Sequence, residues 1–411
     1  MNYRKRICEK SIEQCAKLFK MVLLVGARQV GKSSLFAHLF PHIKTFVFDP
    51  VQDRWNVRKE PDLFLKDFGK PLILDEIQFV PELLPSLKRF VDESDTKGQY
   101  FLTGSQQLSI LKTVSESLAG RVAIIPVGPM TPHEMYDEFD VQANWFLNYL
   151  KNPETFFLKV TRMDKTPRRP EVIWRGGMPG VIELPNDALP VYFSSYTQTY
   201  IERDVRLLEN VQDLASFGNF LALVSALTAQ EINYSQLGRE VGISPQTAQR
   251  WLQLLVHTYQ WFELRPFPMN TIKRVSMKPK GIIADTGLAC YLQRISSPDA
   301  VAVNPLQGAL FESYCFNMIK GFCNALPLMP YFYHWRTLAG AEVDIIVEFD
   351  GVLYPIEIKS TTTISKNDVR GIEAFRATYP QLKIAQGIVI YAGDDCYRVT
   401  ENIVAVPWNA R

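Results

Sequence analysis

A chain of 411 residues, 47% hydrophobic and 21% charged, without a repeat period or low-complexity run, reads as an ordinary globular protein and excludes a fibrous or intrinsically disordered one. At about 150 residues per domain it predicts two to four domains, and its net charge of +2 excludes a polyanion-binding surface over the whole molecule, leaving local basic clusters as the route to nucleic acid. Six scattered cysteines without CxxC pairs, a basic N-terminus without a signal-peptide core and no run of about 18 apolar residues predict a cytoplasmic protein that uses no disulfide framework, zinc site or membrane.

The first predicted elements belong together. MVLLVGARQVGKSSLFAHLF, residues 21–40, opens with an apolar run suited to a buried parallel strand, passes through Gly26, four residues, Gly31, Lys32 and Ser33, and continues in a helical pattern. This is a phosphate loop in the strand-to-helix setting it requires. Its glycines let the backbone from Gly26 through Ala27, Arg28, Gln29, Val30 and Gly31 wrap close to phosphate, and the helix start at Lys32, Ser33 and Ser34 adds positive potential. Lys32 is expected to reach the β- and γ-phosphates of ATP, and Ser33 to ligate Mg2+. PLILDEI, residues 71–77, is a second buried strand ending in two acids, Asp75 for the Mg2+ shell and Glu76 to polarise the attacking water. YFLTGSQ places Thr103 and Ser105 at the carboxyl end of a third, where open α/β sheets bind ligands and Ser105 can sense the γ-phosphate. TFVFDP and RVAIIPVGP add two more, so five strands alternating with helical stretches predict a parallel sheet with helices on both faces. Arg121, just before the last strand, has two readings: a surface arginine, or a finger that completes a neighbouring subunit's site in a homo-oligomer.

Past the sheet, TPHE (131–134) is a capping box with Pro132 at the first helical position. Aromatic helices, a basic TPRRP loop and an RGGMPG turn follow and read as a lid and connector; in YIERDVRLLENV, Arg203 and Asp204 have two readings, facing nucleotide or, preferred, a surface ion pair. NYSQLGREVGISPQTAQRWLQLLV (233–256) then has a helix, a turn at Gly242, an N-cap Ser244 with Pro245, and a second helix, the spacing of helix-turn-helix. Strands WFELRPF and GIIADTGL flank TIKRVSMKPK, a basic wing with Lys273, Arg274, Lys278 and Lys280. On DNA the second helix would offer Gln246, Thr247, Gln249, Arg250 and Gln253 to a groove while the wing contacts phosphate. The alternative is a winged helix that serves as a protein-contact or lid module.

In GAEVDIIVEFDGVLYPIEIKS (340–360), a two-residue type I′ turn at Asp350-Gly351 pairs residues whose numbers sum to 701, setting Asp344 across from Glu357 with Lys359 alongside. Opposed Cβ atoms lie about 5 Å apart, close enough for two carboxylates to share a divalent cation. One face, from Val343 and Ile345 to Ile356 and Ile358, is expected to be core, and the other, with Asp344, Ile346, Leu353, Glu357 and Lys359, to be the polar one. A salt-bridged Asp–Glu–Lys surface cluster is the alternative to Mg2+ or Mn2+ there.

The order Asp, then Glu-x-Lys on the next strand, resembles the PD-(D/E)XK nuclease superfamily, which implies a further acid from a preceding helix; GALFESYCFNMIK supplies it as Glu312. GARQVGKSS, LILDEIQ, LTGSQ, LAGRV, GGMPG, ERDV, KPKGIIADTGL, FESYCF, AEVDIIVEF and PIEIKS together resemble a prokaryotic family of AAA+-type ATPases with a C-terminal domain of unknown function related to those nucleases. The expected α/β architecture is therefore a P-loop parallel sheet (1–135), a mostly helical lid and connector (136–226), a winged helix-turn-helix (227–298) and a restriction-endonuclease-like α/β domain (299–411). The resemblance implies hydrolysis of ATP with Asp75 and Glu76, and a nuclease-like site with Glu312, Asp344, Glu357 and Lys359. Two functions remain open: an ATP-driven DNA-cutting machine, and an ATP-regulated DNA-binding adaptor whose nuclease-like domain is non-catalytic. A protein-remodelling ATPase is a third.

Overall fold

A computed structural model describes residues 3–105, 118–199, 213–268, 278–337 and 340–411. It divides into two compact units, one of residues 1–129 with 257–260 and 324–327, the other of 130–256, 261–323 and 328–411. Arg203, Asp204, Lys273 and Arg274 lie outside the described residues.

The first unit is built on β1 (Met21–Val25), β2 (Lys44–Val47), β3 (Leu72–Asp75), β4 (Tyr100–Gly104) and β5 (Val122–Pro126), all parallel, in the order β2-β3-β4-β1-β5. Position in the sheet explains the sequence of each strand. The three inner strands, MVLLV, LILD and YFLTG, are buried at every residue, while the edge strands KTFV and VAIIP are not. A strand covered by helices on both faces has no reason to alternate. Loops at the carboxyl ends of β1, β3 and β4 carry the phosphate loop, Glu76 and Ser105, as the expected sheet requires.

The second unit is organised by a nine-stranded sheet in the order β13-β14-β12-β11-β10-β9-β7-β8-β6. Its strands are β6 (Gln230–Glu231), β7 (Trp261–Pro266), β8 (Lys280–Ile283), β9 (Tyr331–Arg336), β10 (Glu342–Phe349), β11 (Val352–Lys359), β12 (Gly387–Tyr391), β13 (Tyr397–Thr400) and β14 (Ile403–Pro407). The helices Tyr234–Val241 and Pro245–His257 meet at Gly242, whose φ of +77° suits a residue without Cβ. GIIADTGL is a strand only as far as Ile283; Asp285 then caps the helix Thr286–Leu292.

The hairpin β10–β11 keeps the 701 register, from Ile345 with Ile356 to Phe349 with Val352. Asp350 and Gly351 have φ of +51° and +70°, as a type I′ turn demands. Its expected division into a core face and a wet face is corrected. Ile346 and Leu353 pack in a core with Ile372 and Phe375, so the second face is buried too, and Val343 joins the same core because the β9–β10 pairing shifts between Val343 and Ile346. A bulge at that point re-aims the residues inside it, and Asp344 is one of them.

Asp285 joins two stretches of the second unit that the sequence shows only as separate motifs. Its Oδ1 accepts from Leu288 N at 2.8 Å and its Oδ2 from Gly177 N at 2.7 Å, so one buried carboxylate holds RGGMPG against ADTGL. The approach is close enough that a Cβ on Gly176 would stand 2.4 Å from Asp285 Oδ1. Asp285→Ala is expected to leave both N–H groups without a partner and to cost about 2–4 kcal/mol, read as a lower urea midpoint; an unchanged midpoint would show the joint to be incidental.

The Thr131–Glu134 capping box forms, though its helix, Pro132–Met135, is a single turn. Within it His133 is buried, its Nε2–H donating to Ala410 O at 2.8 Å and its Nδ1 lacking a partner. Burial pulls its pKa down to about 4. The ring is neutral in the fold but takes a proton near pH 6.5 when unfolded, so its contribution is intact above that value and is lost as pH falls toward 4. Between pH 7 and 5 thermal unfolding should show about 2 kcal/mol of acid destabilisation that His133→Gln lacks.

Candidate nucleotide site and acid cluster

Between β1 and the helix Lys32–Leu39 the chain forms the phosphate loop. Gly26 is required by space, since a Cβ there would stand 2.0 Å from Val127 O, and Gly31 by its φ of +91°. Lys32 is buried and donates to Gly26 O at 3.0 Å and Ala27 O at 2.8 Å, bracing the loop from inside. Ser33 Oγ donates to Asp75 Oδ1 at 2.7 Å, so the two expected Mg2+ residues meet at one point although 42 residues apart. That is the hard-oxygen pairing a P-loop Mg2+ uses, and the residues fit it.

Beside this pair, Glu76 has φ of +61° and its N–H donates to Thr103 Oγ1 at 3.0 Å. Thr103 Oγ1 in turn donates to Asp75 Oδ1. Ser105 Oγ donates to Glu76 Oε2 at 3.1 Å, and Gln78 Nε2 donates to the same oxygen and to Ser105 Oγ at 3.0 Å. Ser105, expected as a phosphate sensor, is thus also a partner of Glu76. Two contributors were not foreseen. Gln78 lies just beyond the acid pair, and Arg6 lies far upstream of the motif. Arg6 donates to Val30 O and to Gly128 O, both at 2.8 Å, clamping the loop against the chain after β5. Arg121 forms a two-point pair with Asp92 of its own chain at 2.7 and 2.8 Å.

In the second unit the structure gathers Glu312, Asp344, Glu357 and Lys359, and adds a residue that the sequence reading had placed elsewhere. Lys280 does not extend from a basic wing toward phosphate; it is 8% exposed. As the first residue of β8 it points into the fold, where its Nζ pairs with Glu312 Oε1 and lies 3.1 Å from Asp344 Oδ1. The other oxygen of Asp344 accepts from Ile358 N at 2.9 Å. Glu357 Oε1 accepts from Lys359 Nζ at 2.6 Å, and its Oε2 has no partner. Burial first, then the Asp344 charge, push the Glu312 carboxyl up to about 8, with Lys280 pulling it back. Burial and Asp344 likewise raise Glu357 well above the ordinary carboxylate range. Burial draws Lys280 down, but the charges of Asp344 and Glu312 outweigh it and keep the ammonium protonated. Among the described residues no group of three or more His, Cys, Asp or Glu is arranged to hold a metal ion. Of the four oxygens of Asp344 and Glu357, where Mg2+ or Mn2+ was expected, three are engaged by Lys280, Ile358 N and Lys359, and Glu357 Oε2 is not.

The DNA-contact residues divide. Gln246 and Arg250 are exposed on the helix Pro245–His257 and Lys278 is exposed before β8, whereas Lys280 is buried. Among the described residues no helix is long and apolar enough to cross a membrane.

Residues 167–299 and 307–410 match two families described only as domains of unknown function, DUF8612 and DUF4143. Uncharacterized proteins of Mycobacterium tuberculosis and Mycobacterium bovis are each 27% identical to this chain over 390 residues, covering 94% of it and 80% of their own length. A Walker-type ATPase of Pyrococcus abyssi is similar over 69% of this chain and 94% of its own, at 15% identity and a TM-score of 0.43. Residues 18–136 match the family described as AAA domain, so the chain carries a P-loop ATPase domain of the AAA type.

Proposed function

We propose that this protein is a Mg2+-dependent ATPase that acts on DNA, its nucleotide cycle governing how the C-terminal half engages the strand. The observation that carries the ATPase reading is the convergence of Ser33 on Asp75 at 2.7 Å, beside a loop already braced by Lys32. Ser33 and Asp75 would hold Mg2+, which when bound would supply charge neutralisation to the phosphates. Lys32 exchanges its loop carbonyls for phosphate oxygens. Glu76 accepts the proton of the attacking water, and Ser105 and Gln78 orient its carboxylate.

Support for DNA rests on the exposed polar face of Gln246, Gln249 and Arg250 and on exposed Lys278, a groove-and-phosphate pairing that suits a winged helix. DNA cleavage is the second reading, favoured by the gathering of Glu312, Asp344, Glu357 and Lys359 in one cluster. It requires a divalent metal where Lys280 now stands, so we take the adaptor reading for this part of the chain.

Lys32→Ala should abolish ATP binding in a fluorescent-nucleotide titration, while Glu76→Gln should bind ATP normally and release phosphate about 10²–10⁴-fold more slowly. Normal turnover by Glu76→Gln would remove Glu76 as the base. For the DNA half, the ATPase rate should rise when duplex or single-stranded DNA is added. Arg250→Ala with Lys278→Ala should weaken DNA binding and lower the salt slope by about one unit per lost phosphate contact. A rate and an affinity indifferent to DNA would return the protein to the remodelling class.

A further inference from the structure

We infer that Lys280 is a built-in cation, standing between Glu312 and Asp344 where a nuclease of this arrangement would hold a divalent metal, so that the acid cluster is an ionic lock. This goes beyond the ATPase reading and does not rest on it.

Three observations lead there. The first is position: a single Nζ touches a carboxylate from the helix Gln307–Phe322 and one from β10, the two elements whose acids a bridging metal would join. The second is access. A cavity of about 380 Å³ opens beside the cluster, and its walls include Lys280 and Glu312 but neither Asp344 nor Glu357. Glu231 and Glu342 also line it, but Asp344 is not on its walls while the Lys280 ammonium is, and Mg2+ gives up its waters reluctantly.

The third is the state of the oxygens. Asp344 uses one on Lys280 and one on Ile358 N, and Glu357 uses one on Lys359. The remaining oxygen, Glu357 Oε2, is buried without a partner.

The lock also has a structural consequence. It ties β8, and with it the β6–β8 edge that frames the helix pair Tyr234–His257, to the centre of the sheet. Removing the lysine leaves two buried acids facing one another, a vacancy suited to a divalent ion.

The test is Mn2+ binding followed by electron paramagnetic resonance on the nucleotide-free full chain, comparing wild type, Asp344→Asn, Lys280→Met and Lys280→Met with Asp344→Asn. Wild type and Asp344→Asn should bind Mn2+ identically. Lys280→Met should gain one Mn2+ per chain, lost again in the double variant, and its lowered thermal midpoint should recover in part on adding Mn2+. Mn2+ binding by wild type that Asp344→Asn weakens would overturn the proposal, as would a folded Lys280→Met that gains no site. If Lys280→Met does not fold, Lys280→Gln replaces it. If neither folds, wild type against Asp344→Asn decides: coincident curves uphold the lock and diverging curves overturn it.

Discussion

Two residue pairs of parallel ladder, Arg265 with Tyr333 and Pro266 with His334, join β7 to β9 and so make one sheet of what the sequence presents as two modules. Everything distinctive about the acid cluster follows from this junction. It places β8 two strands from β9, and the first side chain of β8 then reaches Glu312 and Asp344 from across the sheet. Without Lys280, Glu312 and Asp344 would lack the cation that stands between them, Lys359 being engaged with Glu357. Like charges in a dry site cost too much to leave so, and the sheet supplies the counter-charge.

The nucleotide site was legible because its chemistry is local. A strand, a glycine-rich turn and a helix start must be contiguous to cradle phosphate, and Gly26 through Ser34 are contiguous. The two acids after β3 were legible for the same reason, being tied to a strand end. What stayed hidden reaches the site from elsewhere or plays a supporting part: Arg6 from upstream, and Gln78 as the hydrogen-bond donor that fixes Glu76. Neither has a residue type or spacing that announces its role. An arginine in a basic N-terminus looks like solvated charge until a carbonyl such as Val30 O is found within reach.

The hairpin shows the same division within one element. Its register could be read from Asp350-Gly351 because the turn type dictates the pairing, and the pairing from Ile345–Ile356 to Phe349–Val352 is the one expected. Its faces could not be read from alternation, because a bulge in the neighbouring ladder between Val343 and Ile346 breaks the period of two. The motifs RGGMPG and ADTGL carry a similar lesson. Each reads as a turn with no evident purpose, and the reason for both is a single carboxylate, Asp285, that needs glycine on either side to come close enough.

Residue identity therefore locates an acid cluster more readily than it tells what the cluster binds. Asp344, Glu357 and Lys359 have the types and order that metal-dependent cleavage uses, and a pattern of that kind is satisfied equally by a metal or by an amine. The difference lies in the cations within reach, counted across every strand of the sheet and not along the hairpin alone. Lys280 is 64 residues from Asp344 in the chain and 3.1 Å from it in the fold. A divalent ion can be lost to a chelator, whereas a lysine on a strand cannot, so a cluster closed by Lys280 keeps its shape whatever the metal content of its surroundings. That permanence suits a structural joint within the sheet better than it suits a cutting edge.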